Sequence, residues 1–211
     1  VCSHTQVDFT NYKKPTLNRR IQKRMQALKL NMLQEYLDYL HANPAEVKIL
    51  CQEFFINVTS FFRDPEAFQL IETKVIPAII DSKEEGETIK VWIAACSTGE
   101  EAYSLAILFK EAPHRLGRHL DVKLFATDID QQALQKASRG TYPASIIRKQ
   151  VSEKRLERFF QKSGNKYTVS DEVRKMVIVA QHDLQKDPPF SKIDLITCRN
   201  MLIYLNPSLQ H

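Results

Sequence analysis

The sequence predicts an α/β chain in which a helical segment precedes a doubly wound sheet of parallel strands. Apolar side chains recur at helical spacing through residues 1–80. From Thr88 onward, continuous apolar runs alternate with helical patterns, as in strand–helix–strand units. A polar stretch at 81–87, which contains Gly86, separates the two parts and is interpreted as a linker.

Proline-containing start signals divide the helical part. Asn43-Pro44 and Asp64-Pro65 each place a capping side chain before a proline that suits the first helical turn. Pro77 should kink or shorten the last of these helices, because it lacks the backbone N–H that a helix interior needs.

The positive charge of the chain is concentrated near its start. Residues 1–30 hold seven basic residues and one acid, although the net charge of the whole chain is only +5. Helical spacing places the basic side chains opposite an apolar face, so they form either a solvated surface or a docking surface for an acidic partner. No aromatic residue lies between Tyr12 and residue 30, which disfavours single-stranded nucleic acid as that partner. The candidate docking residues are Arg19, Arg20, Lys23 and Arg24.

The second part begins with an apolar run from Ile89 to Cys96 that is typical of a buried parallel strand. The elements expected after it are helices at 100–111, 131–138 and 152–161 and strands at 122–127, 166–169, 174–181 and 193–198. The chain ends at His211, soon after the last of these strands. We therefore expect a fragment that lacks the final helix and strands of its fold.

Composition excludes several classes of site. Consecutive glycines are at least 13 residues apart, so the chain holds no Walker A loop, G-x-G-x-x-G fingerprint or G-x-S-x-G elbow. The cysteines are far apart and the histidines form no H-x-x-H pair, so no metal site is predicted. Most of the cysteines lie among apolar residues, as reduced thiols do in the cytoplasm. No apolar run approaches the roughly 20 residues of a membrane span.

Polar residues follow three predicted strands at their carboxyl ends, where ligands of open α/β sheets bind. These strings are Ser97-Thr-Gly-Glu-Glu101, Thr127-Asp-Ile-Asp130 and Cys198-Arg-Asn200. Two carboxylates at a helix start repel pyrophosphate and favour a cofactor with a cationic end, such as S-adenosylmethionine. Asp128 stands where a carboxylate could accept hydrogen bonds from both ribose hydroxyls.

These acids also have a purely structural interpretation. Glu100 and Glu101 would stabilise a helix N-terminus without any ligand, and Asp128 could cap the following helix. Arg199 and Asn200 have no evident packing role directly after a buried strand. Taken together, the three strand ends favour a binding site.

Four strings in this order resemble the CheR chemotaxis methyltransferases, which methylate receptor glutamates with S-adenosylmethionine. They are Asn57-Val-Thr-Ser-Phe-Phe-Arg63, Ser97-Thr-Gly-Glu-Glu-Ala-Tyr-Ser104, Ala126-Thr-Asp-Ile-Asp130 and Cys198-Arg-Asn-Met-Leu-Ile-Tyr204. The resemblance spans nearly the whole chain, and residues near 10 to 70 most resemble CheR domains inside larger multidomain signalling proteins. It implies an all-helical N-terminal domain at 1–80 and, after the linker, a Rossmann-like S-adenosylmethionine methyltransferase domain at 88–211. That domain would be truncated at its C-terminus and would carry a small inserted β-hairpin subdomain at about 140–178.

The resemblance also implies the site residues. Those for the cofactor are Asn57, Thr59, Arg63, Glu101, Asp128, Asp183, Leu184, Asn200 and Met201. Arg63 and Tyr204 would orient the reacting groups, although Arg63 could instead pair with Asp64 and Tyr204 could be core. Asp183 replaces the asparagine that is common in the family, which removes a donor but keeps an acceptor for the adenine amine. The hairpin at 163–174 has no glycine triplet, so recognition independent of a receptor-tail pentapeptide is expected.

The implied reaction transfers a methyl group from S-adenosyl-L-methionine to glutamate side chains of chemoreceptors, giving glutamate methyl esters and S-adenosyl-L-homocysteine. The expected partners are glutamate-rich receptor helices and other domains of the same full-length protein, without nucleic acid or membrane insertion, in the cytoplasm. Two alternatives remain open. One is a non-catalytic fragment that binds a receptor or regulator, and the other is a methyltransferase for another acidic substrate or nucleic acid.

Overall fold

A computed structural model describes residues 7–116 and 121–207. These residues form two compact units. The first comprises residues 7–56 and 200–207, and the second comprises residues 57–116 and 121–199. The end of the chain at His211, beyond which further elements of the fold were expected, lies outside the described residues. Within the described ranges, no helix has both the length and the apolar character required to cross a bilayer.

The first unit is helical. Its elements are α1 (Lys14–Ala27), α2 (Leu33–Ala42), α3 (Pro44–Phe54) and a 3-10 turn (Leu202–Tyr204). Prolines lie in the first turns of α1 and α3, where a missing N–H costs nothing. Tyr36 and Leu50 are buried, and the ring of Phe9 packs edge-on against that of Phe54 at 5.0 Å.

The second unit carries the remaining elements. In chain order they are α4 (Pro65–Leu70), a π-helical turn (Ile71–Val75), α5 (Ile76–Asp81), β1 (Thr88–Ala94), α6 (Glu100–Leu116), β2 (Asp121–Asp128), α7 (Gln131–Arg139), β3 (Thr141–Pro143), α8 (Ala144–Ile147), α9 (Glu153–Phe159), β4 (Phe160–Ser163), β5 (Lys166–Val169), α10 (Asp171–Arg174), β6 (Val177–Gln181) and β7 (Leu195–Thr197).

A parallel sheet forms the centre of this unit, with strand order β6-β2-β1-β7. Val91, Trp92, Ile93 and Ala94 of β1 are all buried, so both faces of the strand are covered, which explains the continuous apolar run. The predicted α/β class, with helices before a parallel sheet, is confirmed. Strand β1 ends before Cys96, because the backbone turns to positive φ at Ala95.

The helices that precede the sheet pack with it. Phe68, Ile76 and Ile80 belong to the same hydrophobic core as the strands. The two compact units therefore divide the chain at residue 57, earlier than the predicted linker at 81–87. A π-helical turn immediately precedes the helix that contains Pro77, consistent with the missing N–H of that proline.

A small antiparallel sheet of order β3-β5-β4 lies between α7 and β6 in the chain, within the segment predicted to hold an inserted hairpin. The expected strand at 174–181 is wrong at its start. Residues Asp171–Arg174 form a helical turn, and the strand begins at Val177. Ser170 and Asp171 favour a helix start, whereas Arg174 and Lys175 supply no apolar alternation for a strand.

Candidate functional site

The carboxyl end of β1 leads into a tight loop, in which the backbone N–H groups of Cys96 and Ser97 donate to the Thr127 carbonyl and the Asp128 carboxylate of β2. Ser97 and Gly99 both have positive φ, at 50° and 94°. A Cβ added at Gly99 would lie 2.9 Å from the Cβ of Ala137, so the loop approaches α7 too closely for any side chain. Close packing against α7 therefore explains why this motif has a glycine at position 99.

Asp128, at the carboxyl end of β2, holds two strand-end loops together. Its Oδ2 accepts a hydrogen bond from the backbone N–H of Ser97 at 2.7 Å, and its Oδ1 accepts one from that of Asp130 at 2.9 Å. Burial raises the pKa of Asp128, whereas these backbone donors lower it. The predicted ribose ligand is therefore a fixed, partly buried carboxylate.

Asn57 connects the same two loops through its side-chain amide. The Ser97 hydroxyl donates to Asn57 Oδ1 at 2.9 Å, and Asn57 Nδ2 donates to Asp130 Oδ2 at 2.6 Å. Asp130 also caps α7 by accepting from the N–H of Gln132 at 2.9 Å. The structure thus brings Asn57 and Asp128 together.

The first turn of α6 presents the two predicted carboxylates in different surroundings. Glu100 Oε2 accepts from the Thr98 hydroxyl at 2.6 Å. Burial raises the pKa of both Glu100 and Glu101. Glu101 Oε1 is enclosed and has no hydrogen-bond partner among the described residues.

Arg199 joins Glu101 to the segment that carries Arg63. Its Nη2 donates to the carbonyl of Arg63 at 2.8 Å and pairs with Asp64 Oδ2 at 2.6 Å. Its Nη1 lies 3.6 Å from Glu101 Oε2, and its guanidinium lies 5.2 Å from the ring centre of Phe68. The sequence placed Arg199 at a strand end that favours a binding site, but it did not predict its contacts with Glu101, Arg63 and Asp64.

The other predicted site residues differ in how the structure places them. Arg63 donates to the carbonyl of Val58 at 2.7 Å, and its charge lowers the pKa of Glu101. Asp183 is engaged within its own loop, because its Oδ1 accepts from the N–H of Gln185 at 2.9 Å.

Thr59 is partly buried, and Leu184 is exposed beside Asp183. Asn200, Met201 and Tyr204 belong to the other compact unit, where the Tyr204 carbonyl accepts from the N–H of Lys13 at 2.9 Å.

The docking residues of α1 are more internally paired than the sequence suggested. Arg24 binds Glu46 through two hydrogen bonds of 2.8 and 2.7 Å, and the Tyr36 hydroxyl donates to the same carboxylate at 3.0 Å. Glu46 is only 4% exposed. Arg24 is therefore part of the interior of the helical unit.

A second acid pairs with two more of these cations. Lys23 lies 2.9 Å from Glu53, and Arg20 lies 3.8 Å from the same carboxylate. Lys23 and Arg19 are exposed, whereas Arg20 is partly buried. Among the described residues, no cluster of histidine, cysteine and acidic side chains has the arrangement of a metal site.

Two family models match the chain. The all-alpha domain of CheR methyltransferases matches residues 1–55, and the S-adenosylmethionine-binding domain of CheR methyltransferases matches residues 57–211.

Relatives match over nearly the whole chain. The chain is 42% identical to an uncharacterised 104.1 kDa protein of Rhodobacter capsulatus, over 97% of its own length and 21% of that protein's. It is 35% identical to the putative methyltransferase Cher3 of Pseudomonas putida, over 96% of its length and 74% of that protein's. It is 33% identical to a chemotaxis protein methyltransferase of Listeria innocua, over 97% and 76% of the two lengths. The chain thus spans about a fifth of the first relative and about three quarters of the other two.

The residues present fit the cofactor of this family. A buried carboxylate oxygen without a donor, Glu101 Oε1, is the kind of group that an ammonium satisfies, and Asp128 keeps acceptor capacity for hydroxyls. The chain belongs to the CheR family of methyltransferases, whose cofactor is S-adenosyl-L-methionine.

Proposed function

We propose that this chain transfers a methyl group from S-adenosyl-L-methionine to glutamate side chains of chemoreceptors. The observation that carries the proposal is the pair of fixed, partly buried carboxylates, Asp128 and Glu101, within one unit of a CheR-family chain. The relative from Listeria innocua is named a chemotaxis protein methyltransferase, which supports chemoreceptors as the substrate class.

Different residues of the chain are assigned to different parts of the cofactor. Asp128 would accept hydrogen bonds from the ribose hydroxyls, and Glu101 would bind the amino group of the methionine part. Asn57 and Thr59 would lie over the cofactor. The residues assigned to the adenine border are Asp183, Leu184, Asn200 and Met201. Asp183 Oδ1 accepts a local hydrogen bond and Oδ2 lies 3.7 Å from Lys186 Nζ, so the adenine amine would use the acceptor capacity that these contacts leave on the carboxylate.

The bound cofactor supplies an electrophilic methyl group on a sulfonium. A carboxylate oxygen of the receptor glutamate would form a C–O bond to this methyl group as the C–S bond breaks, and the electron pair of the C–S bond would stay on the sulfur of S-adenosyl-L-homocysteine. The carboxylate is already ionised at neutral pH, so no general base is required. We assign orientation of the reacting groups to Arg63 and Tyr204. One N–H of Arg63 is used by Val58, and guanidinium carries five.

Receptor docking is proposed at the exposed side of α1. Arg19 and Lys23 supply exposed cations, with Arg20 beside them, and glutamate-rich helices carry the complementary charge. Arg24 is removed from this surface because it is paired inside the unit. Cys51, Cys96 and Cys198 are free thiols, which supports a cytoplasmic location.

The test has two stages with one matched control. Calorimetric titration of S-adenosyl-L-homocysteine should show binding to the parent chain, at least tenfold weaker binding to Asp128→Asn, and no change for Asp121→Asn. Asp121 is an exposed aspartate at the opposite end of the same strand. Transfer of radiolabelled methyl to a receptor fragment, lost when its glutamates become glutamines, would then support the substrate. Cofactor binding without transfer would favour a non-catalytic contact module.

A further inference from the structure

One guanidinium, that of Arg199, joins three segments of the second unit. We propose that Arg199 is a positioning residue that holds the Glu101 carboxylate and the Arg63–Asp64 turn in one arrangement for the methionine end of the cofactor. This proposal rests on the cofactor assignment made above, but it does not depend on the identity of the methyl acceptor.

The two terminal nitrogens of the Arg199 guanidinium contact different groups. Nη2 binds the backbone carbonyl of Arg63 at 2.8 Å and the Asp64 carboxylate at 2.6 Å. Nη1 faces Glu101 Oε2 at 3.6 Å. Guanidinium is planar and rigid, so fixing one edge fixes the direction of the other. The turn and the carboxylate are therefore held relative to each other.

The turn needs such a restraint. Phe62 and Asp64, on either side of Arg63, have positive φ of 49° and 58°. Non-glycine residues in this region persist when their surroundings hold them there. The hydrogen bond from Arg199 to the Arg63 carbonyl lies at the centre of this turn. Loss of that bond would let the Arg63 backbone relax.

The contact between Arg199 and Glu101 differs from a structural ion pair in the same unit. Arg155 binds Glu111 through two hydrogen bonds of 3.0 and 2.7 Å. At 3.6 Å, Arg199 balances the charge of Glu101 without a hydrogen bond to its carboxylate. Both side chains are mostly buried, at 19% and 16% exposed. The charge of Glu101 is thus compensated while its acceptor capacity is kept for a donor such as an ammonium.

Several groups set the ionisation of Glu101. Burial raises its pKa, whereas the Thr197 hydroxyl, although outside hydrogen-bonding geometry, and the charges of Arg199 and Arg63 lower it. The charge of Asp64 raises it.

Other titratable groups also face or adjoin this carboxylate. Its charge raises the pKa of the Cys96 and Cys198 thiols, and Glu100 is its neighbour on α6. Removing Arg199 takes away a charge that favours the carboxylate. Glu101 would then take up a proton at a higher pH and lose its attraction for an ammonium.

Two ligands separate this role from a general loss of structure. S-adenosyl-L-homocysteine carries the amino acid end, whereas 5′-methylthioadenosine lacks it and keeps the ribose and adenine. Affinities of both would be measured by calorimetry from about pH 5.5 to about pH 8.5, a range chosen to follow carboxylate ionisation. The variants are Arg199→Gln, Arg199→Lys and the control Lys83→Gln, which removes a 2.9 Å ion pair to Asp194 in the same unit.

Arg199→Gln should weaken S-adenosyl-L-homocysteine about tenfold at neutral pH and move the loss of its binding on acidification to higher pH. Affinity for 5′-methylthioadenosine should not change. Arg199→Lys should restore the pH profile because it restores the charge. Lys83→Gln should lower thermal stability and leave the ratio of the two affinities as in the parent.

Equal weakening of both ligands by Arg199→Gln, or no weakening of either, would overturn the proposal. If that variant does not fold, Asp64→Asn provides the second measurement, at a side chain that is 61% exposed. Removing this anion should let S-adenosyl-L-homocysteine bind at lower pH than in the parent, and an unchanged or opposite shift would overturn the proposal. Absence of methyl transfer to receptors, with these binding results intact, would count against the proposed substrate alone.

Discussion

Replacing Arg24 by methionine distinguishes a residue of the interior from a residue of the docking surface. The substitution keeps much of the apolar stem and removes both hydrogen bonds to Glu46, of 2.8 and 2.7 Å. The Glu46 side chain is 5% exposed and would keep only the Tyr36 hydroxyl at 3.0 Å as a donor. Removing one partner of a buried pair costs about 3 to 5 kcal/mol. Because the Arg24 side chain is 18% exposed, we expect the lower end, about 3 kcal/mol.

The sign of the pH dependence follows from Glu46. Its hydrogen bonds to Arg24 lower its pKa in the folded chain, and the Tyr36 hydroxyl acts in the same direction against burial. A lowered pKa stabilises the fold above the ordinary carboxylate range, and this contribution is lost as pH falls through the folded value. The difference in unfolding free energy between the parent and Arg24→Met should therefore be largest near neutral pH and shrink in acid.

The assay is urea unfolding followed by circular dichroism at several pH values, with Arg19→Met as the matched control. Arg19 is exposed on the same helix, so its substitution should change stability by less than about 0.5 kcal/mol and weaken association with an acidic receptor helix. An Arg24→Met variant as stable as the parent, but impaired in receptor binding, would refute the interior role and return Arg24 to the docking surface.

Three further outcomes are expected. Gly99→Ala should lower unfolding free energy by about 2 kcal/mol or more in a urea titration, because positive φ and the 2.9 Å approach to Ala137 both oppose a Cβ. Asn57→Asp should weaken S-adenosyl-L-homocysteine binding more than Asn57→Ala, because it faces the Asp130 carboxylate with a second anion at the 2.6 Å contact. The Cys198 thiol, whose pKa is raised by burial and by Glu101, should continue to gain reactivity toward a thiol reagent at pH values where the rate of a free cysteine has levelled off; a rate that levels off in the same range would contradict this environment.

The sheet and its strand-end loops could be predicted from the sequence because their physical signals are local. A buried parallel strand is apolar on both faces, so β1 appears as an uninterrupted run. The polar strings after β1 and β2 then mark the edge where ligands bind. The predicted boundaries of the strands were less accurate. The run from Ile89 to Cys96 remains apolar beyond Ala94, whereas the strand ends there because of the backbone turn.

Pairing between distant side chains could not be predicted in the same way. Helical spacing correctly puts Arg24 among the basic residues of α1, but it does not show that Glu46, twenty-two positions later, lies within hydrogen-bonding distance. The same holds for Asn57 and Asp130, which are 73 positions apart. Motif resemblance selected Asn57 for the cofactor site, and only the fold shows that its amide also joins two loops.

These loop contacts orient the carboxylate of Asp128, the residue proposed to bind the ribose. Each oxygen of Asp128 accepts one backbone N–H, from Ser97 or from Asp130. The backbone N–H of Ile129 also acts on this carboxylate and lowers its pKa, and the carboxylate keeps acceptor capacity for ribose hydroxyls. Asn57 holds the two loops that supply those donors, through Ser97 and Asp130. The carboxylate is thus oriented by the backbone rather than by a ligand, and less conformational freedom is lost when two adjacent hydroxyls bind.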